Sequence, residues 1–147
     1  MFSSVVVGTD GSDTATEAVR QAIDLAARLD AKLEIVCAYE PVSGQRLREE
    51  SHQAPADLQW MINAREDVDA TLREAVEMAR EKGVAAEPYA RQGDPADSIL
   101  DVAEETNADL IVVGNKGMTG AKRFLLGSVP NKVSHHAPCS VLIIRTT

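Results

Sequence analysis

Gly114, Gly117, Gly127 and Ser128 are residues whose types and spacing could do chemistry in this 147-residue chain. The apolar run Leu110-Ile111-Val112-Val113 reads as a buried strand. It breaks at Gly114-Asn115-Lys116-Gly117, passes the basic residues Lys122 and Arg123, and ends at Gly127-Ser128. Ser128 stands where it would cap a helix beginning at Val129. A strand, a glycine-bearing loop and a helix N-terminus in that order make an anion site. Glycine lets the backbone approach phosphate oxygens closely, and the helix end offers unpaired N–H groups and a partial positive charge. Pro130 supplies no N–H, so the expected donors are Ser128, Val129 and Asn131. Taken singly, Ser128 could be a cap and Gly117 and Gly120 plain turn residues. Combined with Gly114, they point to phosphate binding.

The elements that must position these residues follow from periodicity. Residues 5–9 and 32–39 read as strands, residues 84–91 as a weaker strand marked as an edge by Pro88, and residues 139–145 as the last strand. Helices are expected over about 13–29, 57–82, from Asp94-Pro95 to Asn107, and over 129–136. Thr14 and Glu17 have capping-box spacing, and Gly83 is placed to end the longest helix. Residues 40–56 carry no periodicity and are polar, which reads as a mobile loop within one domain spanning 1–147. Strands and helices alternate throughout. The expected fold is therefore α/β, Rossmann-like, with a five-stranded parallel sheet and helices on both faces. In a 3-2-1-4-5 strand order the switch point falls between strands one and four. Asp10 ends the first of these strands and Gly114 the second, so both informative loops would meet at one crevice.

The spacing Gly114, two residues, Gly117, nine residues, Gly127-Ser128 resembles the G-x2-G-x9-G-[S/T] signature of the ATP-binding branch of the universal stress proteins. The opening Val5-Val6-Val7-Gly8-Thr9-Asp10-Gly11-Ser12 is similar to that family's first strand and loop, so the resemblance covers nearly the whole chain. It implies an adenine-nucleotide-binding stress-response sensor or regulator, with ATP as the expected ligand and cyclic AMP as the alternative. The nucleotide-binding set is then Thr9, Asp10, Tyr39, Val113, Gly114, Lys116, Gly117, Arg123, Gly127, Ser128 and Val129. Thr9 and Asp10 would serve the ribose side, or Asp10 would hold a Mg²⁺ ion beside ATP. Backbone groups near Tyr39 would read the adenine edge, and Lys116, Lys122 and Arg123 would offset phosphate charge. The resemblance also implies a homodimer through the last strand, at Val141, Leu142, Ile143 and Ile144, which would otherwise be an exposed apolar edge.

Composition sets the remaining bounds. With 23 acidic against 15 basic residues the net charge is −8, which argues against nucleic acid and anionic membranes as partners. No apolar run is long enough to span a membrane and the first residues lack a signal-peptide pattern, so a cytoplasmic location is expected. Cys37 and Cys139 read as buried, reduced thiols. His135 and His136 are helix neighbours about 100° apart, which suits cations at a helix C-terminus better than a metal pair. The chain has no Ser/His/Asp set and no G-x4-G-K-[S/T] loop. The first loop lacks the Ser-Gly-Gly opening of ATP pyrophosphatases, and Arg91 and Arg145 stand where a receiver domain would need Asp and Lys. Slow ATP hydrolysis is the most catalysis expected, against a ligand-free scaffold as the remaining alternative.

Overall fold

The structure, a computed structural model, describes residues 2–39, 55–115 and 126–146, with side chains of the second helix described from Asp67 onward. Its elements are β1 (Ser4–Gly8), α1 (Asp13–Leu29), β2 (Lys32–Tyr39), α2 (Pro55–Glu81), β3 (Ala86–Gln92), α3 (Pro95–Glu105), β4 (Leu110–Gly114), α4 (Ser128–His136) and β5 (Ser140–Ile144). They form one domain around a five-stranded sheet ordered β3-β2-β1-β4-β5, parallel at every pairing. That is the expected architecture. The expected loop over 40–56 lies outside the described residues, except that 55 and 56 are the first turn of α2.

Side chains alternate across the sheet as a strand's two-residue period requires. Val5, Val7, Leu33, Ile35 and Val112 pack beneath α1 and α2, whereas Val6, Val36, Ile111 and Val113 pack beneath α3 and α4. β1 is central, and Val5, Val6 and Val7 are wholly buried on its two faces. Each such side chain contributes about 1.5–3 kcal/mol on burial. This β-branched run therefore fixes the position of the loop that follows it. β1 pairs with β2 on one side and β4 on the other, so the chain winds away from β1 in both directions. The crevice between the ends of β1 and β4 is the switch point.

Helix ends differ in part from the sequence expectation. Ser12, not Thr14, caps α1: its backbone is extended and its hydroxyl accepts from Ala15 N–H at 3.2 Å. Thr14 and Glu17 are already inside the helix, and Glu17 pairs with Arg20 instead. Asp94 caps α3 with Pro95 following, as expected. Gly83 (φ +73°) ends α2 with Val84 N–H donating to Ala79 O at 2.9 Å and its own N–H to Arg80 O at 2.9 Å, a Schellman arrangement.

β3 is an edge strand and accommodates Pro88. β5 is the other edge, where Leu142 and Ile143 are exposed. Cys37 and Cys139 are free thiols; Cys37 is buried, but Cys139, which precedes β5, is only half-buried. One polar residue lies where the pattern gives no reason to expect it. Glu34, on the α3 face of β2, is completely buried.

Candidate functional site

A cleft opens at the switch point between the ends of β1 and β4. Gly8, Thr9 and Asp10 form one side, Val113 and Gly114 the other, and Val36 and Ala38 of β2 line its inner end. Ala15 of α1, Pro95 and Ile99 of α3, and Val129 and Pro130 of α4 complete the walls. The lining is chiefly apolar, and Thr9 and Asp10 bring its polar side chains. An apolar slot beside a helix N-terminus suits a ligand with a flat apolar body and an anionic end.

The anionic end is defined by α4. Gly127, not Ser128, is the N-cap: its backbone is extended, and no side-chain cap is made. The reason is that Ser128 already has helical geometry, so its hydroxyl is not in the capping position. The first helical bond runs from Asn131 N–H to Gly127 O at 3.0 Å, which removes Asn131 from the expected donors. Gly127 N–H is committed to Asn115 O at 2.9 Å, and Pro130 has none. The N–H groups of Ser128 and Val129 therefore precede the helical ladder, and the Ser128 side chain is exposed beside them.

The loop after β1 is internally braced. Thr9 N–H donates to Val36 O at 2.9 Å, and Thr9 Oγ1 accepts from Gly11 N–H at 3.2 Å. Asp10 Oδ1 accepts from Ser12 N–H at 2.9 Å. Gly11 has φ +83°, and a Cβ there would lie 2.9 Å from Thr71 Oγ1 of α2. The backbone thus passes close to α2 in a conformation that side chains resist. Asp10 is the only carboxylate among the described residues lining the cleft. It could accept a hydrogen bond from a sugar hydroxyl or contribute one oxygen to a hydrated Mg²⁺. Its charge and, more strongly, burial push the Cys37 thiol up to about 11, so this cysteine is protonated near neutral pH.

The walls from α3 and α4 are fastened to each other. Lys132 of α4 reaches Asp97 at 2.9 Å and Asp94 at 3.4 Å, both at the start of α3. Asp94 also accepts from Asp97 N–H at 3.0 Å, and that bond, followed by Lys132, holds its carboxyl below the usual range. These contacts keep the Pro95–Ile99 wall beside Val129 and Pro130.

The structure brings Thr9, Asp10, Val113, Gly114, Gly127, Ser128 and Val129 together around one cleft or at its α4 rim. Tyr39 is the residue after the Ala38 wall, at the end of β2; its side chain packs towards the α1 and α2 core, and its carbonyl accepts from Gly93 N–H at 2.8 Å. Lys116, Gly117 and Arg123 lie outside the described residues, as do Gly120 and Lys122. Pro95 and Ile99 are wall residues that sequence reasoning assigned only to capping and core. Asn115 is a further omission. Its backbone and side chain tie β4, α4 and the segment after β5 together. A polar residue between two glycines of the loop was the one signal available for it. Among the described residues, no helix is long and apolar enough to cross a membrane.

The family model described as the universal stress protein family matches residues 1–145. Universal stress protein Rv1636 of Mycobacterium tuberculosis is 38% identical over 147 residues, covering 99% of this chain and 98% of its own. Universal stress protein YxiE of Bacillus subtilis is 37% identical over 148 residues, with coverage of 99% and 100%. Among solved structures, a universal stress protein in complex with cAMP is 35% identical with a TM-score of 0.75, covering 99% of this chain and 98% of that one. A universal stress protein from Archaeoglobus fulgidus in complex with dAMP is 26% identical with a TM-score of 0.65 and coverage of 99% and 98%. The whole-chain match, the sheet order and the cleft agree: this chain belongs to the universal stress protein family.

Proposed function

We propose that the cleft binds an adenine nucleotide carrying a single phosphate, cyclic AMP first among them, and that the protein is a regulator whose conformation or partner binding responds to it. The observation that carries this reading is the α4 terminus. Only the Ser128 and Val129 N–H groups stand ahead of the first helical bond, with Pro130 closing the series. Among the described residues, two N–H groups and one hydroxyl stand at this terminus, a set that suits one phosphate. The relatives bound to cAMP and dAMP support the same ligand class.

Magnitudes require both ends of the cleft. Micromolar affinity needs about −8 kcal/mol. Hydrogen bonds to a charged group give roughly 1.5–3 kcal/mol each, and the helix terminus about 0.3–2. The balance must come from burying a base against Val36, Ala38, Ile99 and Val113, at about 25 cal/mol per Å² of apolar surface.

ATP is the second reading, favoured by the glycine signature. Its additional phosphates would call on Lys116, Lys122 and Arg123, and on Mg²⁺ beside Asp10, since the protein already carries a net charge of −8. Calorimetry with cyclic AMP and with ATP, each with and without Mg²⁺, tests both. Tighter binding of cyclic AMP, insensitive to Mg²⁺, supports the first reading. Mg²⁺-dependent ATP binding lost in Asp10→Ala supports the second, and turnover of that complex would make the protein a slow ATPase. Binding of neither at millimolar concentration would leave a ligand-free scaffold.

We also propose that a second copy of the chain covers β5 and that the homodimer works in the cytoplasm. Leu142 and Ile143 are exposed along an edge strand, a surface that pairs unless protected. Light scattering of wild type and Ile143→Lys tests the assembly: a dimer reduced to a monomer is expected, and a monomeric wild type would reject it.

A further inference from the structure

Asn115 joins three segments that the chain order keeps apart. Its N–H donates to Ile144 O at 2.8 Å, and its carbonyl accepts from Gly127 N–H at 2.9 Å. Its Oδ1 accepts from Thr146 N–H at 2.8 Å and from the Thr146 hydroxyl at 3.1 Å. The backbone pair extends the sheet past Gly114 and fastens the N-cap of α4. The side-chain pair fastens the segment beyond β5.

We propose that Asn115 is a positioning residue for the phosphate end of the cleft and that Thr146 is the latch that holds it. The inference rests on the nucleotide reading above. Gly127 is the residue whose peptide sets the direction of the Ser128 and Val129 N–H groups, and the Asn115 carbonyl is what holds Gly127. A backbone carbonyl aims well only if its own residue cannot turn. The two hydrogen bonds from Thr146 immobilise the Asn115 side chain, so the carbonyl keeps its direction. Release of the latch lets Asn115 rotate, loosens Gly127, and moves the two N–H groups relative to Gly114. Thr146 continues directly from β5, so a change at that edge reaches the phosphate site through one side chain.

The test uses the full chain with Asn115→Ala, Thr146→Pro, and both together. Proline at 146 removes the N–H and the hydroxyl in one step and lies outside the sheet, which covers the case in which Asn115→Ala fails to fold. In ligand-free protein, the Gly127 amide is expected to exchange faster with deuterium in each variant while the β1 amides keep their protection. Affinity for cyclic AMP or ATP, whichever wild type binds, is expected to fall about ten-fold in each single variant. The double variant is expected to be no worse than the weaker single one, because both changes break one latch. Unchanged Gly127 exchange, or affinity losses that add in the double variant, would overturn the role. Wild type that binds neither nucleotide would overturn the nucleotide reading and this role together. Wild type that binds while the folded variants match it would overturn this role alone.

Discussion

A Cβ placed on Gly8 would lie 2.4 Å from Cδ1 and 3.0 Å from Cγ1 of Ile99. The end of β1 and the cleft wall from α3 thus occupy space that only a glycine leaves open. Ile99 is almost fully buried, so its side chain has little room to retreat except into the cleft it lines. Gly8→Ala is expected to destabilise the fold by about 1–3 kcal/mol through overpacking. It is also expected to weaken nucleotide binding, because a displaced Ile99 fills ligand space. Trimming the partner should relieve part of both effects, so Gly8→Ala with Ile99→Val is predicted to be better than the sum of the single changes. Urea denaturation and calorimetry check this, and strictly additive losses would show that the two positions do not compete for the same space.

That relationship marks the limit of what the sequence made legible. The strand run 110–113 and the Asp94-Pro95 helix start are local patterns, and each lies where the sequence places it. Ile99 falls on an apolar helical stripe, which reads the same whether the residue faces a core or a cleft. Asn115 depends on Thr146, 31 positions away, and no local pattern connects them. Ser12 and Thr14 are both good cap formers, and only the extended backbone at Ser12 decides between them. The Ser128 misassignment has the same origin: Gly127 has no side chain to cap with, so a side-chain rule passes over it.

Acid should loosen the N-terminal strand first. Asp109 accepts from Ser3 N–H at 2.9 Å, from Ser4 N–H at 3.1 Å and from the Ser3 hydroxyl at 3.1 Å. These bonds, led by Ser3 N–H, hold its carboxyl below the ordinary value of 3.8, as Asp97 N–H and Lys132 do for Asp94. A carboxyl depressed in the folded state binds fewer protons there than in the unfolded chain. Its stabilising contribution is therefore complete above about pH 4 and is lost as pH falls through the folded value. Wild type is expected to lose stability below about pH 4, and Asp109→Asn should flatten that dependence while lowering stability at neutral pH. Denaturation midpoints measured between about pH 2 and 7 test the sign, and identical pH slopes for the two proteins would reject it.

The Lys32 ammonium lies 3.0 Å from Oε1 of Glu34, on the same face of β2 two residues along. Glu34 is wholly buried, whereas the Lys32 side chain is more than half exposed. Among the described residues, neither Glu34 oxygen has a hydrogen-bond partner of good geometry, so the contact is an ion pair with one desolvated partner. Tyr89 of β3 lies close by: burial first, then the Glu34 carboxylate, push its phenol up. A buried carboxylate that is only partly compensated carries a desolvation cost that its attraction to Lys32 need not repay. Removing the carboxylate should thus be harmless or favourable, and Glu34→Met is expected to be neutral or stabilising by about 1–4 kcal/mol at most. Removing the lysine leaves the buried charge without its counterion, so Lys32→Met should destabilise clearly. The order reverses the usual expectation that the exposed residue is the dispensable one. Chemical denaturation of the two single variants decides it: a stable Lys32→Met beside a crippled Glu34→Met would mean that Glu34 is satisfied by partners other than Lys32. The double variant should recover the stability of Glu34→Met, since Lys32 has nothing left to compensate.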